Sequence, residues 1–287
     1  MIPRVLMDRT ARAASSRTVG TLVVLGDSVG VGLGDPVAGG WRGFAPLLAE
    51  ALAPERFVNL AVNGARLGSV RRDQLPVAVR SRPDVAIVVA GMNDTMRSDF
   101  DPHRLHADLD RIVADLTEAG ALVLTIRYHD HGQVFRLPAA LHRVLLTRIT
   151  ELNAVFDVVV RRHDTPVVDL GRQPGIYAKT AWAVDRLHPS ELGHRILARA
   201  FAEHVGRAGL VAGEVSLACA GGLEVTRAQR AAWLVVKGIP WLLRRGADLV
   251  PHLAVTMLRA AFAEQVAAGR ARWEDAPEPA GTVTEQV

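Results

Sequence analysis

Short apolar runs alternate along this chain with longer segments in which apolar residues recur at helical spacing. The runs typical of buried strands occupy residues 21–26, 57–62, 84–90, 121–126 and 166–170. The segments that favour helices are residues 41–53, about 73–80, 102–119, about 138–162 and 190–205. Each connection between successive strands is long enough for a helix, which favours parallel strands with helices on both faces of the sheet. The sequence therefore predicts the α/β class, built on a five-stranded parallel sheet.

Composition indicates a globular protein and argues against nucleic acid as a partner. Hydrophobic residues make up 49% of the 287 residues, which is enough for a sizeable core. The formal net charge is +4, but the arginines are scattered, and aromatic residues do not interleave with them as they would in a base-stacking surface. The single cysteine, Cys219, excludes an internal disulfide and a metal site made of cysteines alone.

The sequence contains no recognisable targeting or membrane-spanning pattern. Charged residues stand in the first ten positions, where an export signal would need an apolar stretch. The uncharged stretches of the C-terminal half, such as residues 215–223, are too short to cross a bilayer. We therefore expect a cytoplasmic protein.

Three of the predicted strands end on residues suited to stabilising a negative charge. Ser28 follows the first strand, Gly64 the second and Asn93 the third. The carboxyl ends of parallel strands meet at one edge of the sheet, where ligands bind in open α/β folds. The backbone N–H groups of Ser28 and Gly64 and the side-chain NH2 of Asn93 could form a three-donor oxyanion hole, with the Ser28 hydroxyl as nucleophile.

A base for this serine is predicted near the end of the domain, just before its last helix. In Asp185-Arg-Leu-His188-Pro189, the proline starts a helix and fixes the turn that holds His188. Asp185 can accept the Nδ1–H of His188, which leaves Nε2 free to take the proton of the serine. A serine hydroxyl is a poor nucleophile without such a base.

Four short blocks resemble the motif blocks of the SGNH (GDSL) hydrolase family, in the family's order along the chain. They are Gly26-Asp27-Ser28, Gly64, Gly91-Met92-Asn93-Asp94 and Asp185-Arg186-Leu187-His188. Val29 stands where the family's name has leucine, at a position without a catalytic role. The resemblance covers residues 21–205, and each block alone is weak.

The resemblance implies a flavodoxin-like three-layer α/β/α sandwich. It implies Ser28 as the nucleophile, His188 as the base and Asp185 as the residue that orients it, with Gly64 and Asn93 completing the oxyanion hole. It implies no cofactor and no metal. The family includes carboxylesterases, lipases, thioesterases and carbohydrate O-acetylesterases, so that it gives a reaction class rather than a substrate.

Other polar or glycine-rich stretches favour structural roles. Asp27 is expected to brace its own loop, and Asp94 to cap the segment that follows it. The glycines of residues 30–34 lack the lysine of a phosphate-binding loop and are interpreted as a flexible pocket rim. His129-Asp130-His131 has no third metal ligand nearby in sequence and is expected to be solvated.

The composition changes after residue 206, and the sequence predicts three parts. Residues 17–208 form the hydrolase domain, 209–273 a helical C-terminal extension, and 274–287 a disordered tail. We expect the extension to pack on the core or on a second copy of the chain, which would make a homo-oligomer. The alternative is attachment to an anionic membrane surface, because Trp233 and Trp241 lie among basic residues there.

The sequence as a whole favours a serine hydrolase that cleaves small-molecule or lipid carboxylic esters through an acyl-Ser28 intermediate. One alternative is an acyltransferase that passes the acyl group to a sugar or lipid hydroxyl. The other is a non-catalytic binding domain that acts through its C-terminal helices. The leaving group, the acyl chain length and the oligomeric state are left open.

Overall fold

A computed structural model describes residues 17–135 and 139–223 and confirms the α/β fold. Its strands are β1 (Thr21–Gly26), β2 (Pro36–Val37), β3 (Gly40–Trp41), β4 (Arg56–Asn59), β5 (Val85–Val89), β6 (Leu122–Arg127) and β7 (Val167–Asp169). Five of them form one parallel sheet in the order β4-β1-β5-β6-β7. The other two, β2 and β3, form a small antiparallel ribbon.

Helices cover both sides of this sheet. They are α1 (Ser28–Val31), α2 (Phe44–Leu52), α3 (Leu67–Ser69), α4 (Leu75–Arg80), α5 (Met92–Thr95), α6 (Pro102–Glu118), α7 (His131–Phe135), α8 (Ala139–His163) and α9 (Glu191–Arg207). Helices α2 and α9 pack against each other, and α6 packs against α4 and α8. The apolar side chains of α6 are buried at the predicted positions, Leu105, Leu109, Ile112, Val113 and Leu116.

The central strands bring the predicted site residues to one edge of the sheet. All five residues of β5 are buried, as the continuous apolar run predicts. In the β1–β5 pairing the last residues of the two strands, Gly26 and Val89, lie opposite each other. The segments that follow these strands, one with Ser28 and the other with Asn93, therefore start side by side.

The second strand of the sheet is shorter than predicted. Regular pairing of β4 with β1 ends at Asn59, although the apolar run continues to Val62. The Asn59 side chain donates to the carbonyl of Gly30 and accepts the N–H of Ala61, which turns the chain away from the ladder. Beyond this point only single backbone bonds connect the segment to β1, including Val62 N–H to Gly26 C=O at 3.0 Å.

The predicted helix after Asp73 begins earlier than expected and contains a wider turn. Helix α3 passes into a π-helical turn (Val70–Gln74), which passes into α4. In this turn the N–H of Leu75 bonds the carbonyl of Val70, five residues back. Pro76 follows immediately and has no N–H to give to a regular helix, which explains why the helix widens here.

The first residues of the predicted extension pack on the core. Leu210 and Val215 are buried within the main hydrophobic cluster. The N–H of Gly213 bonds Ala51, and the N–H of Leu223 bonds Pro36 in β2. The domain boundary at residue 208 stays a prediction, and the helices and tail predicted beyond residue 223 lie outside the described residues.

In residues 17–135 and 139–223, we found no helix with the length and apolar character needed to span a membrane.

Candidate active site

Ser28 lies at the first position of α1, directly after the sharp turn that ends β1. Gly26 has φ +154°, and a Cβ there would come within 2.1 Å of the Val89 carbonyl oxygen, so that only glycine fits. Asp27 forms the N-cap of α1 by accepting the Val29 N–H at 3.0 Å. The strand end and the cap together fix the backbone that carries the Ser28 hydroxyl.

His188 and Asp185 complete a hydrogen-bonded chain with Ser28. His188 Nε2 lies 2.9 Å from Ser28 Oγ, and His188 Nδ1 lies 2.6 Å from Asp185 Oδ2. The other carboxylate oxygen of Asp185 accepts the N–H groups of Leu187 and His188 at 3.0 Å each. A turn with Arg186 at φ +57° makes this double contact possible. The sequence-predicted residues are thus brought together across 160 positions of the chain.

The charge of this site is held on Asp185. Burial by itself raises the pKa of Asp185, but the hydrogen bond and the charge of His188 outweigh it, and the pKa lies below its usual value. Asp185 therefore stays ionised at neutral pH. An ionised carboxylate at Nδ1 stabilises the imidazolium that forms when Nε2 takes a proton.

Contacts of the Asn93 side chain connect the chain next to Ser28 with the turn that contains Gly64. Gly64 is exposed, with φ +79°, in a turn closed by the N–H of Ala65 on the Val62 carbonyl. The Asn93 NH2 donates to the Ala65 carbonyl at 3.1 Å and lies 3.4 Å from an Asp27 oxygen. Asn93 therefore bridges the residue before Ser28 and the residue after Gly64. Its long contact to Asp27 is the weaker of the two and is the one a substrate oxygen could replace.

Asp27 has a buried carboxyl group in addition to its predicted role as a brace. Its side chain is 2% exposed. Burial raises the pKa of Asp27 to about 7, although the Val29 N–H and the charge of His188 favour the ionised form. Nothing in the sequence pattern signals this burial, because Gly-Asp-Ser is also a common turn sequence.

Asp94 caps a different helix from the one predicted. It is 1% exposed and accepts the Arg66 guanidinium at 2.9 Å and the N–H of Leu67 at 3.2 Å. It thus binds the start of α3 instead of the segment that follows it in sequence. The contact fixes the chain just after Gly64, so that Asp94 supports the Gly64 turn.

The prediction that His129 and His131 are solvated is wrong. They are 3% and 2% exposed, and His131 Nδ1 bonds His129 Nε2 at 2.9 Å. Both rings contact Trp182, at centroid distances of 4.8 and 4.9 Å. Burial lowers the pKa of His129 to about 4 and that of His131 well below 6.5. Among the described residues no group of three side chains is arranged to hold a metal ion.

The glycine-rich stretch after Ser28 is closely packed, which differs from the flexible rim that was predicted. A Cβ at Gly34 would lie 2.0 Å from the Pro189 carbonyl oxygen and 3.2 Å from the His188 Cβ. A Cβ at Gly32 would lie 2.5 Å from the Arg42 carbonyl oxygen. Gly34 thus lets the loop after Ser28 pack directly on the loop that carries His188, and Gly32 lets it pack on the backbone just before α2.

Two buried residues near the site carried no signal in the sequence analysis. His194 accepts the N–H of Phe44 and donates to the Leu33 carbonyl, so that it ties the loop after α1 to α9. Gln74 bonds both backbone polar groups of Gly26, at 2.8 and 2.9 Å. Pro76, which interrupts the helical pattern, was the one feature that could have drawn attention to the turn bearing Gln74.

Comparisons with known proteins agree with this architecture. The model of a family described as GDSL-like lipase/acylhydrolase matches residues 24–196. No curated protein sequence gives a significant match. An α/β-hydrolase enzyme from the metagenome of Lake Arreo, Spain, is 21% identical with a TM-score of 0.55, and the match covers 66% of this chain and 96% of that chain.

Two further solved structures share the fold at similar identity. The lipase/acylhydrolase from Enterococcus faecalis is 21% identical, with a TM-score of 0.51 and coverage of 66% of this chain and 96% of that chain. An acetylxylan esterase from Geobacillus stearothermophilus is 20% identical, with a TM-score of 0.54 and coverage of 67% and 96%. At such identities the likeness concerns the fold.

Proposed function

The chain belongs to the GDSL-like lipase/acylhydrolase family, and on that premise we propose that it hydrolyses carboxylic esters through an acyl intermediate on Ser28. The observation that carries this proposal is the continuous contact from Ser28 Oγ to His188 Nε2 and from His188 Nδ1 to Asp185. That arrangement supplies a nucleophile, a base and an orienting carboxylate at hydrogen-bonding distance before any substrate binds.

In the proposed acylation, His188 Nε2 removes the proton of Ser28 as Oγ attacks the ester carbonyl carbon. The carbonyl oxygen becomes an oxyanion and accepts the N–H groups of Ser28 and Gly64 and the NH2 of Asn93. The tetrahedral intermediate collapses when the imidazolium of His188 gives its proton to the leaving alkoxide oxygen. The alcohol departs, and the acyl group remains on Ser28.

In the proposed deacylation, water attacks the acyl carbonyl carbon while His188 takes one of its protons. The same three donors hold the second oxyanion. Its collapse breaks the bond to Ser28 Oγ, which recovers a proton from His188, and the carboxylic acid is released. Asp185 stays ionised throughout, in keeping with its lowered pKa, and keeps His188 in the tautomer that faces Ser28.

The substrate is proposed to be a small-molecule or lipid ester. The structural neighbours include a protein named as an acetylxylan esterase and one named as a lipase/acylhydrolase, which supports esters in general and does not choose among acyl groups. A panel of p-nitrophenyl esters from acetate to palmitate, with the matching thioesters, would rank acyl length and leaving group by kcat/KM.

The deciding experiment compares the full-length wild type with Ser28→Ala on p-nitrophenyl acetate. We expect turnover by the wild type and its loss in the variant, with an initial burst of p-nitrophenol if deacylation is the slower step. Equal turnover by both proteins, or none by either, contradicts the proposal. The second of these results would leave the non-catalytic binding domain as the function.

Transfer to an alcohol is the second candidate, and one observation favours it. The segment that leads to residues 224–287 bonds Pro36 through Leu223, in the ribbon of the loop that follows Ser28. The last described residues thus lie against the loop that follows Ser28, and a cover over that loop would exclude water and favour transfer. Total p-nitrophenol release that rises with added sugar or glycerol, with formation of the new ester, would support transfer over hydrolysis.

The oxyanion assignment has its own test in Asn93→Ala. We expect kcat to fall about 100- to 1000-fold with little change in KM, because the amide bonds the charge that forms only in the transition state. Circular dichroism and thermal unfolding would show that the variant is folded. A rise in KM alone, with kcat unchanged, would contradict the assignment.

A further inference from the structure

A glutamine side chain bonds the end of β1, which is called the nucleophile strand because it leads into Ser28. Gln74 is 5% exposed, its Oε1 accepts the N–H of Gly26 at 2.8 Å, and its Nε2 donates to the carbonyl of Gly26 at 2.9 Å. The amide thus bonds the N–H that a neighbouring strand would bond, and it shares the Gly26 carbonyl with the N–H of Val62. Gly26 lies two residues before Ser28.

On its β4 side, Gly26 has no regularly paired neighbouring strand. The ladder between β1 and β4 ends with Val24 opposite Asn59, two residues before β1 ends. On the other side of β1, Gly26 still pairs with Val89 of β5. Without Gln74, the N–H of Gly26 would be left buried and unbonded on the β4 side, which native proteins rarely tolerate.

The helix that carries Gln74 departs from regular geometry where this residue occurs. Gln74 is the last residue of the π-helical turn, whose N–H to C=O bond spans five residues between Leu75 and Val70. A π-helical turn is rare and is found disproportionately at functional sites, because it redirects one side chain without breaking the helix. Here the redirected side chain reaches the backbone of the nucleophile strand.

The same contact connects the nucleophile to the oxyanion turn. The carbonyl of Gly26 also accepts the N–H of Val62, and the carbonyl of Val62 closes the turn that presents Gly64. One carbonyl group therefore fixes both the end of β1, which leads into Ser28, and the turn that offers a donor to the oxyanion. Gln74 holds that carbonyl in place.

We infer that Gln74 is a positioning residue for catalysis, which fixes Ser28 and the Gly64 donor relative to each other through the backbone of Gly26. The inference rests on the proposed function, because it assigns the Ser28 hydroxyl as nucleophile. Gln74 does not touch the reacting atoms. Its removal should slow the chemical step while leaving substrate affinity nearly intact.

The chain contains a matched control for a purely structural role. Asn153 is 6% exposed and makes the same pair of bonds to the N–H and the carbonyl of Tyr128, at 2.8 and 2.9 Å. Tyr128 follows β6, which carries none of the proposed catalytic residues. Losing this pair should lower stability as much as losing the Gln74 pair and leave the chemistry unaffected.

The experiment measures kcat, KM and melting temperature for wild type, Gln74→Met and Asn153→Leu with p-nitrophenyl acetate. Both substitutions replace a buried amide by an apolar group of similar size and remove two hydrogen bonds to the backbone, although the Gly26 carbonyl keeps its bond from the N–H of Val62. We expect Gln74→Met to lower kcat about 100-fold with KM little changed, the scale of a misplaced reacting group. We expect Asn153→Leu to lower the melting temperature comparably and to keep kcat near the wild-type value.

The outcomes separate the inference from its premise. Full kcat in Gln74→Met, or equal losses of kcat in both variants, overturns the positioning role while wild-type activity still supports the proposed function. A wild type no faster than Ser28→Ala removes the proposed function and this inference with it.

A second variant keeps the test decisive if Gln74→Met does not fold. Gln74→Glu has the same length, and its protonated carboxyl can accept the Gly26 N–H and donate to the Gly26 carbonyl, whereas the ionised form can only accept. The ratio of its kcat to the wild-type kcat should therefore fall as the pH rises. A ratio of one at every pH contradicts the positioning role.

Discussion

Two neighbouring loops of this protein contain the same residue types and use them in opposite ways. In residues 185–188, the aspartate bonds the histidine of its own loop, and the ring faces Ser28. In residues 129–131, the histidines bond each other, and the carboxylate between them bonds His142 at 2.9 Å instead. Trp182 lies between the loops, since it contacts both rings of the second loop and forms a β-bridge with Pro189.

The difference follows from where the backbone points each side chain. Residues 185 and 188 are joined by a turn in which Asp185 accepts two backbone N–H groups, so that the carboxylate folds back onto its histidine. In the second loop, Asp130 accepts the N–H of Gly132 at the start of α7, whereas its two neighbours point into the core. A histidine and an aspartate close in sequence thus bond each other only where a turn brings the two side chains together.

The comparison is tested most strongly by replacing one histidine in each loop and measuring activity. We expect His188→Ala and Ser28→Ala each to lower kcat by about a million-fold, and the double variant to be no slower, because the two residues act as one unit. His131→Phe keeps a ring against Trp182 and should retain most of kcat. Steady-state kinetics with p-nitrophenyl acetate measure both. An equal loss in His131→Phe would show that the second loop also takes part in the chemistry.

The two aspartates give the next largest contrast. Asp185→Asn should lower kcat about 10,000-fold, because the amide favours the wrong tautomer of His188. Asp130→Asn changes a partly exposed side chain that bonds His142, Gln133 and the N–H of Gly132, and should have little effect on kcat or stability. Comparable rate losses in the two variants would contradict the separation of the loops.

The smallest expected effect is a difference in acid stability. Because the folded-state pKa of His129 is about 4 and that of His131 is well below 6.5, the unfolded chain binds more protons as the pH falls. Stability that is complete above about pH 6.5 should therefore be lost toward pH 5, at about 1.4 kcal/mol per pH unit for each histidine. His194, whose pKa burial lowers to about 4, adds to the slope.

Urea unfolding at pH 6.5 and at pH 5 measures this slope, and His131→Phe should make it shallower. Asp27 acts in the opposite direction, because burial raises its pKa to about 7 and its ionisation costs stability as the pH rises. Asp27→Asn should accordingly make the loss toward acid pH steeper. Identical slopes in the wild type and His131→Phe would mean that His131 binds a proton equally well in both states.

Much of the fold and the core of the site was accessible from the sequence. The alternation of apolar runs with helical segments predicted the parallel sheet, which the strand pairing confirms. Ser28, Asp185 and His188 were identified because each stands in a short sequence block that contains or adjoins a glycine or proline typical of a turn. The hydrogen bonds among these three residues agree with the roles proposed for them.

Other features depend on contacts that leave no local pattern. The end of β4 at Asn59 depends on the Gly30 carbonyl, and the partner of Asp94 is a helix that begins 27 residues earlier in the chain. The burial of His129 and His131 depends on Trp182, which belongs to a different loop. A local stretch of sequence does not show which distant residues will contact it in the fold.

The sequence by itself determined the class of fold, the edge of the sheet that holds the site, and the residues proposed to react. Those properties follow from periodicity and from turn residues, which act within a few positions of the chain. The tertiary structure alone decided that Gln74 bonds Gly26 at the end of β1, 48 positions away, and that two histidines beside the site are buried and paired. Such roles are set by the groups that folding brings near a side chain, because a buried polar group must be bonded by whatever it meets there.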